Sequence, residues 1–265
     1  MIGGGALGMY LTAKLSFHHD VTLITRRSTA GLKIQLEGEE SGTVSKFQTS
    51  TWDQVSIPAE AILFICTKAY DLDLVLKQVE SNLSRTTTVV LCQNGLGVHM
   101  QAADIVGRRV PLIRLLSLIG IKSAGSKLQI SGKPQSTIAS IPEDAKECGL
   151  VKELLIEAGF SVTTAPSLVI AEWEKAIVNI VVNSIATLAD APNGIILEDT
   201  KCKVLAERAI SEIRMVAGAE GIEISNLSDN EIFRRIENSK SNINSTLSDF
   251  RAGRPTELEY MIGRA

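Results

Sequence analysis

Apolar positions change their period part-way along the chain. Up to about residue 166, short apolar runs alternate with segments of helical spacing; beyond it the spacing is helical throughout. Residues 61–66 (Ala-Ile-Leu-Phe-Ile-Cys) are apolar without interruption, as a strand covered on both faces must be. Residues 88–92 repeat that pattern, and residues 20–25 and 160–164 also read as strands. Residues 6–17, 71–83 and 151–158 read as helices; in the second, Leu72, Val75, Leu76 and Val79 fall on one stripe. Strand and helix in alternation predict a parallel sheet with right-handed crossovers. Residues 109–141 differ, with short β-rich pieces between Gly and Ser that predict an antiparallel extension. Helices are predicted over 167–189, 200–220 and 229–239, and near 256–264. The expected architecture is an α/β domain over 1–166 followed by an all-helical domain over 167–265.

Composition narrows the class. A chain of 265 residues with 45% hydrophobic and 22% charged positions is that of a soluble globular protein of one large or two ordinary domains. With a net charge of −3, nothing suggests a nucleic-acid partner. Polar residues interrupt the apolar runs before membrane-spanning length, and no secretory signal precedes the first motif. Cys66, Cys92, Cys148 and Cys202 lack metal-type spacing, and Cys66 and Cys92 read as reduced core thiols. His18, His19 and His99 do not cluster with them, so no metal site is expected. A cytoplasmic protein without disulfides fits this usage.

The segment Gly3-Gly4-Gly5-Ala6-Leu7-Gly8 matches G-x-G-x-x-G and opens a helix, with a strand following. In a Rossmann-like fold the first glycine permits a tight turn, and the second lets the backbone approach a pyrophosphate. The third permits close helix–sheet packing, and the helix N-terminus faces the negative charge. An acidic residue after the second strand would favour NAD. This chain has Thr25-Arg26-Arg27, whose guanidinium groups suit a 2′-phosphate, so NADP is the expected cofactor. Only Met1 and Ile2 stand where a first strand is expected. Either the start is misassigned or residues are missing, and a sheet short of its central strand is expected to lose core packing.

The helical half carries its own polar pattern. Lys175, Asn179 and Asn183 lie four residues apart in an otherwise apolar segment, on one stripe of a helix. A lysine and two amides are costly to bury, so such a stripe meets other polar groups or a ligand. Thr67-Lys68-Ala69-Tyr70 and Gln93-Asn94-Gly95-Leu96-Gly97 each follow an apolar strand, at the carboxyl ends where this fold binds ligands. Asn244-Ser245-Thr246-Leu247-Ser248-Asp249 leads on to Arg254-Pro255-Thr256-Glu257. In this order, over nearly the whole chain, the motifs resemble the ketopantoate reductase (2-dehydropantoate 2-reductase) family.

The resemblance implies NADPH-dependent reduction of 2-dehydropantoate to pantoate, on the route to pantothenate and coenzyme A. It implies Lys175 as the catalytic lysine, with Asn179, Asn183, Ser245, Glu257 and Asn94 on the substrate. Gly3, Gly4, Gly5, Ala6, Leu7, Gly8, Arg26, Lys68, Asn94 and Glu257 are implied on the cofactor side. The chemistry is coherent: hydride arriving at a keto carbon leaves charge on oxygen, which an ammonium stabilises and then protonates. Partial burial of that lysine is expected to lower its pKa. The implied partner is a small keto acid, with a homodimer as a further expectation and neither nucleic acid nor membrane. Arg114 departs from the family pattern, which has glycine there, just before the segment expected to approach substrate. A reductase of a different 2-keto acid therefore stays open, as does an NADPH-binding relative without turnover. The family pattern also continues beyond Ala265, so a truncated C-terminus is expected.

Overall fold

The computed structural model describes residues 1–38, 41–107, 109–131, 134–141, 145–224 and 227–265. Residues 132 and 133 of the predicted antiparallel extension lie outside this set. The strands are β1 (Thr22–Thr25), β2 (Ile34–Glu37), β3 (Gly42–Val44), β4 (Gln48–Thr51), β5 (Ile62–Ile65), β6 (Thr88–Leu91), β7 (Leu112–Ser117), β8 (Gly120–Ala124), β9 (Lys127–Ser131), β10 (Gln135–Ile141) and β11 (Ser161–Thr164). The helices are α1 (Ala6–Leu15), α2 (Leu72–Val79), α3 (Val98–Val106), α4 (Lys146–Glu157), α5 (Leu168–Leu188), α6 (Ile195–Glu198), α7 (Thr200–Ala219), α8 (Asp229–Asn238), α9 (Ser245–Arg251) and α10 (Leu258–Met261). They form two compact units, one of Met1–Gln93 with Val98–Leu168, the other of Asn94–Gly97 with Val169–Ala265.

The first unit is built on a sheet with strand order β11-β10-β7-β6-β5, parallel from β5 to β7 and reversing at β10. On the other side of β5, Ile2 makes parallel bridges to both Ile24 and Ile65, and β1 then pairs with β4. The first three residues thus occupy the central position. Ile2 N–H donates to the Phe64 carbonyl at 2.8 Å, and the Ile2 carbonyl accepts from Cys66 N–H at 2.7 Å. Ile24 N–H donates to the Met1 carbonyl at 2.7 Å. Met1 and Ile2 are both buried. Backbone bonding to two neighbours needs few residues when both strands are already in register.

The apolar runs are continuous because the sheet is covered on both faces. Phe64, Val90, Ile113 and Leu115 pack with Tyr10, Leu11 and Leu15 on one side. Leu63, Ile65, Val89 and Leu91 pack with Leu72, Val75, Leu76 and Val98 on the other. Each such side chain contributes about 1.5–3 kcal/mol when fully buried. The extension over 109–141 is antiparallel only in part, since β7 joins β6 in parallel. β8 and β9 form an antiparallel hairpin in a second sheet of order β3-β2-β9-β8. Strands β2, β3 and β4 are short and rich in polar residues, which is why periodicity did not reveal them.

The second unit packs Trp173, Ile177, Val181 and Ile185 of α5 against Ile196, Ile210, Ile213, Ile232, Ile236 and Met261. Three of its helices begin on side-chain caps: Asp199 accepts from Cys202 N–H, Ser228 from Glu231 N–H and Asn244 from Leu247 N–H. On the first turn of α8, hydrogen bonds from Arg234 and Arg235 hold the Glu231 carboxyl down at about 2. A carboxyl lowered by folding stabilises the fold above its ordinary 4.5 and loses that contribution as pH falls toward 2. Protection of the α8 amides, read as exchange relative to the intrinsic rate at each pH, is expected to fall across that window, and Glu231→Gln to remove that fall. Unchanged protection across the window in the native chain would contradict the pairing.

Candidate functional site

The glycine loop sits against the carboxyl ends of β1 and β5. Gly3 adopts φ +111°, and a Cβ there would lie 2.8 Å from the Cys66 carbonyl carbon. A Cβ on Gly8 would overlap the Gly3 carbonyl oxygen. Both glycines are demanded by the protein's own packing. Gly5 is different: it stands before α1 with φ −76° and ψ 179°, and a Cβ would meet nothing within 4 Å. Among the described residues no atom requires glycine there, and the backbone at this position is open to an approaching group. The free N–H groups of the first turn of α1 offer an anion site at that opening.

Two buried oxygens at neighbouring strand ends lack hydrogen-bond partners, Thr67 Oγ1 and Gln93 Oε1. Gln93 is held in place by its other end, Nε2 donating to the Ile65 carbonyl at 2.9 Å. Buried orphan oxygens cost about 1–3 kcal/mol each, and together with the opening at Gly5 they fit a dinucleotide. Arg26 is exposed on one side and fixed on the other. Its guanidinium pairs with Asp71 at 2.5 Å and lies 5.6 Å from the Trp52 ring centre. Lys68 is partly buried in the turn leading to α2. Thr67 and Gln93 open the two motifs placed at ligand-binding strand ends, though neither was singled out as a site residue, and Asp71 and Trp52 were not foreseen in this group. The signal available for Gln93 was a carboxamide placed directly after a buried strand.

All four cysteines are free. A hydrogen bond with Cys92, and then burial, push the Cys66 thiol well above its ordinary range. Among the described residues no group of His, Cys, Asp and Glu could hold a metal ion.

In the helical unit the α5 stripe runs as predicted, Lys175 and Asn179 partly buried and Asn183 buried. Asn183 Nδ2 approaches Met261 Sδ of α10 at 3.9 Å. Glu257, 5% exposed, stands just before α10, and its Oε2 accepts from Asn94 Nδ2 at 3.4 Å. Residues 163 positions apart in sequence thus meet inside one unit. The segment carrying Asn94 is shaped by Gly95 at φ +112°, and Leu96 N–H donates to the Tyr260 carbonyl at 2.9 Å. Ser245 stands apart, exposed on the first turn of α9. Its neighbour Asn244 is buried, caps α9 and accepts a bond from Thr187, one turn beyond Asn183 on α5.

A family model described as ketopantoate reductase PanE/ApbA matches residues 1–143, and its C-terminal counterpart matches residues 169–265. The chain belongs to the ketopantoate reductase family. It is similar to the 2-dehydropantoate 2-reductase of Pyrococcus horikoshii, 25% identical over 272 residues that span 100% of this chain and 88% of that one. Among solved structures, a PanE/ApbA family ketopantoate reductase from Ralstonia eutropha JMP134 matches with TM-score 0.87 and 21% identity, over 99% of this chain and 88% of its own. D-Mandelate dehydrogenase, solved with NADH and anilino(oxo)acetate, matches with TM-score 0.85 and 20% identity, over 99% and 89%. At such identities the structural likeness establishes the fold alone.

Arg114, which departs from the ketopantoate reductase pattern, does not present its guanidinium to solvent. It is 1% exposed, paired with Leu91 in the β6–β7 ladder. Its Nη1 donates to the Leu91 carbonyl at 3.1 Å and its Nη2 to the Gln93 carbonyl at 3.0 Å. The side chain thus supports the strand end from which Asn94 departs. Arg114→Met is expected to destabilise the fold by about 3 kcal/mol or more, the worth of two charge-assisted bonds. Keto-acid preference should stay unchanged. Urea unfolding beside a substrate panel checks both, and altered preference at unaltered stability would restore Arg114 as a specificity residue.

Proposed function

We infer that this chain reduces 2-dehydropantoate to (R)-pantoate with NADPH, in pantothenate and coenzyme A biosynthesis. The observation that carries the reading is the Asn94–Glu257 hydrogen bond, in the same unit as the Lys175 stripe. It joins two motifs that the family pattern holds in common. NADPH supplies the hydride when bound. The first turn of α1 and the open face of Gly5 take the pyrophosphate, and Arg26, steadied by Asp71 and Trp52, takes the 2′-phosphate. Thr67, Gln93 and Lys68 offer further polar groups to the cofactor.

As hydride reaches the keto carbon, Lys175 stabilises the developing negative charge on oxygen and donates its proton there. Asn179 and Asn183 hold carbonyl and carboxylate oxygens through amide N–H groups, adding no charge. Glu257 would accept a hydrogen bond from a substrate hydroxyl, and it also accepts one from the Asn94 amide. Ser245 contributes a hydroxyl from α9. The protein is proposed to be cytoplasmic and homodimeric; among the described residues no helix is long and apolar enough to cross a membrane.

The test is NADPH oxidation with ketopantoate, run beside NADH and Arg26→Ala. Turnover that prefers NADPH, with the preference lost in Arg26→Ala, supports the reading. The likeness to D-mandelate dehydrogenase favours one second reading, reduction of another 2-keto acid. Turnover on phenylglyoxylate with none on ketopantoate would establish it instead.

A further inference from the structure

Helix α5 carries a buried carboxylate one turn before Lys175. Glu172 is 4% exposed and stands three residues before Lys175. Its Oε2 accepts a hydrogen bond from Gly97 N–H at 3.3 Å. Gly97 ends the four-residue segment, Asn94 to Gly97, that belongs to the helical unit. The rest of that segment is fastened at other points. Asn94 bonds Glu257, Leu96 N–H bonds the Tyr260 carbonyl, and the Leu96 carbonyl accepts from Arg264 Nη1 at 3.2 Å. Gly95 and Gly97 both adopt positive φ, at +112° and +63°, which glycine reaches without strain. The bonds at Asn94, Leu96 and Gly97 hold this permissive turn along its length.

Taking a carboxylate out of water costs several kcal/mol. A methionine or leucine would fill the same helical position without that cost. The bond to Gly97 is one that a carboxylate accepts and an apolar side chain cannot. We propose that Glu172 is a positioning residue for the reduction. It ties the far end of the Asn94–Gly97 turn to the helix that presents Lys175. The separation between the Asn94 amide and the Lys175 ammonium is then set by one rigid element rather than by a loop. This rests on the reading of Lys175 as proton donor and Asn94 as the amide beside the nicotinamide.

The experiment compares the full chain with Glu172→Met, which keeps bulk and removes the acceptor, and Glu172→Gln, whose amide oxygen still accepts from Gly97. Glu172→Ala serves if the methionine variant does not fold. Displacing a catalytic group by about 1 Å costs up to about a hundredfold in rate. Glu172→Met is expected to lose about tenfold to a hundredfold in kcat at unchanged NADPH affinity, and Glu172→Gln to recover most of it. Hydrogen exchange at the Gly97 amide is read in parallel, without substrate, and should quicken in Glu172→Met alone. Unchanged exchange at Gly97, or faster exchange with native kcat, overturns the proposal. If the native chain reduces no keto acid, the functional reading fails instead, and Gly97 exchange alone decides whether the anchor exists.

Discussion

Lys175→Ala is expected to lower kcat for keto-acid reduction by about 10²–10⁴-fold, the range for removal of a general acid. NADPH affinity should stay near native, because the glycine loop and Arg26 belong to the other unit. The argument starts from charge. Hydride addition turns a neutral carbonyl into an alkoxide, and a positioned ammonium both lowers the energy of that charge and ends it by proton transfer. Lys175 is the cation on the stripe that also carries Asn179 and Asn183, and it is partly buried. Lys175→Arg separates the two effects. A guanidinium keeps the positive charge but holds its proton too tightly to donate it, so it should recover only part of the loss. Steady-state kinetics with NADPH titration checks this. Native turnover in Lys175→Ala would remove the lysine from the mechanism.

The glycine loop divides into positions that serve the fold and one that serves the cofactor. Gly8→Ala is expected to cost about 3 kcal/mol or more, because its Cβ would overlap the Gly3 carbonyl oxygen and force α1 off the sheet. Gly3→Ala should be similarly damaging, with a strained positive φ and a backbone clash at Cys66. Gly5→Ala should melt within about 1 kcal/mol of native, since its backbone angles suit alanine and no protein atom is near. Its effect should appear as a fall in NADPH affinity of at least about tenfold, or 1.4 kcal/mol. Thermal melting and fluorescence titration of the three variants check the division. Native affinity in Gly5→Ala would mean that the open face of this glycine is not where the pyrophosphate lies.

Much of this was legible before any coordinates. Strands β5 and β6 announced themselves because a strand covered on both faces has no position for a polar residue. Helices α5, α7 and α8 followed from their apolar stripes, and the row of Lys175, Asn179 and Asn183 from its four-residue step. These are local properties, set within a few turns of chain. The antiparallel reading of 109–141 held for the β8–β9 and β7–β10 pairs, while β7 also joins β6 and β10 also joins β11 in parallel, because a strand's direction relative to its neighbour depends on a crossover that the strand itself does not encode. Strands β2 to β4 were missed for their polar, three- to four-residue lengths. Helix α9 was hidden behind a row of short polar residues, and its cap by Asn244 emerged only with the fold.

What the chain determined by itself is its periodicity, and with it the two structural classes, the family motifs and the candidate proton donor. Tertiary structure alone decided which distant polar groups meet. Asn94 joins Glu257 rather than the sheet it follows, Glu172 reaches Gly97, and the unexpected Arg114 turns inward to the carbonyls of Leu91 and Gln93. The physical reason is common to all three. Hydrophobic burial is read residue by residue from a repeating pattern. A buried hydrogen bond needs a donor and an acceptor brought within about 3 Å by sheet register and helix packing, and no local pattern records that distance.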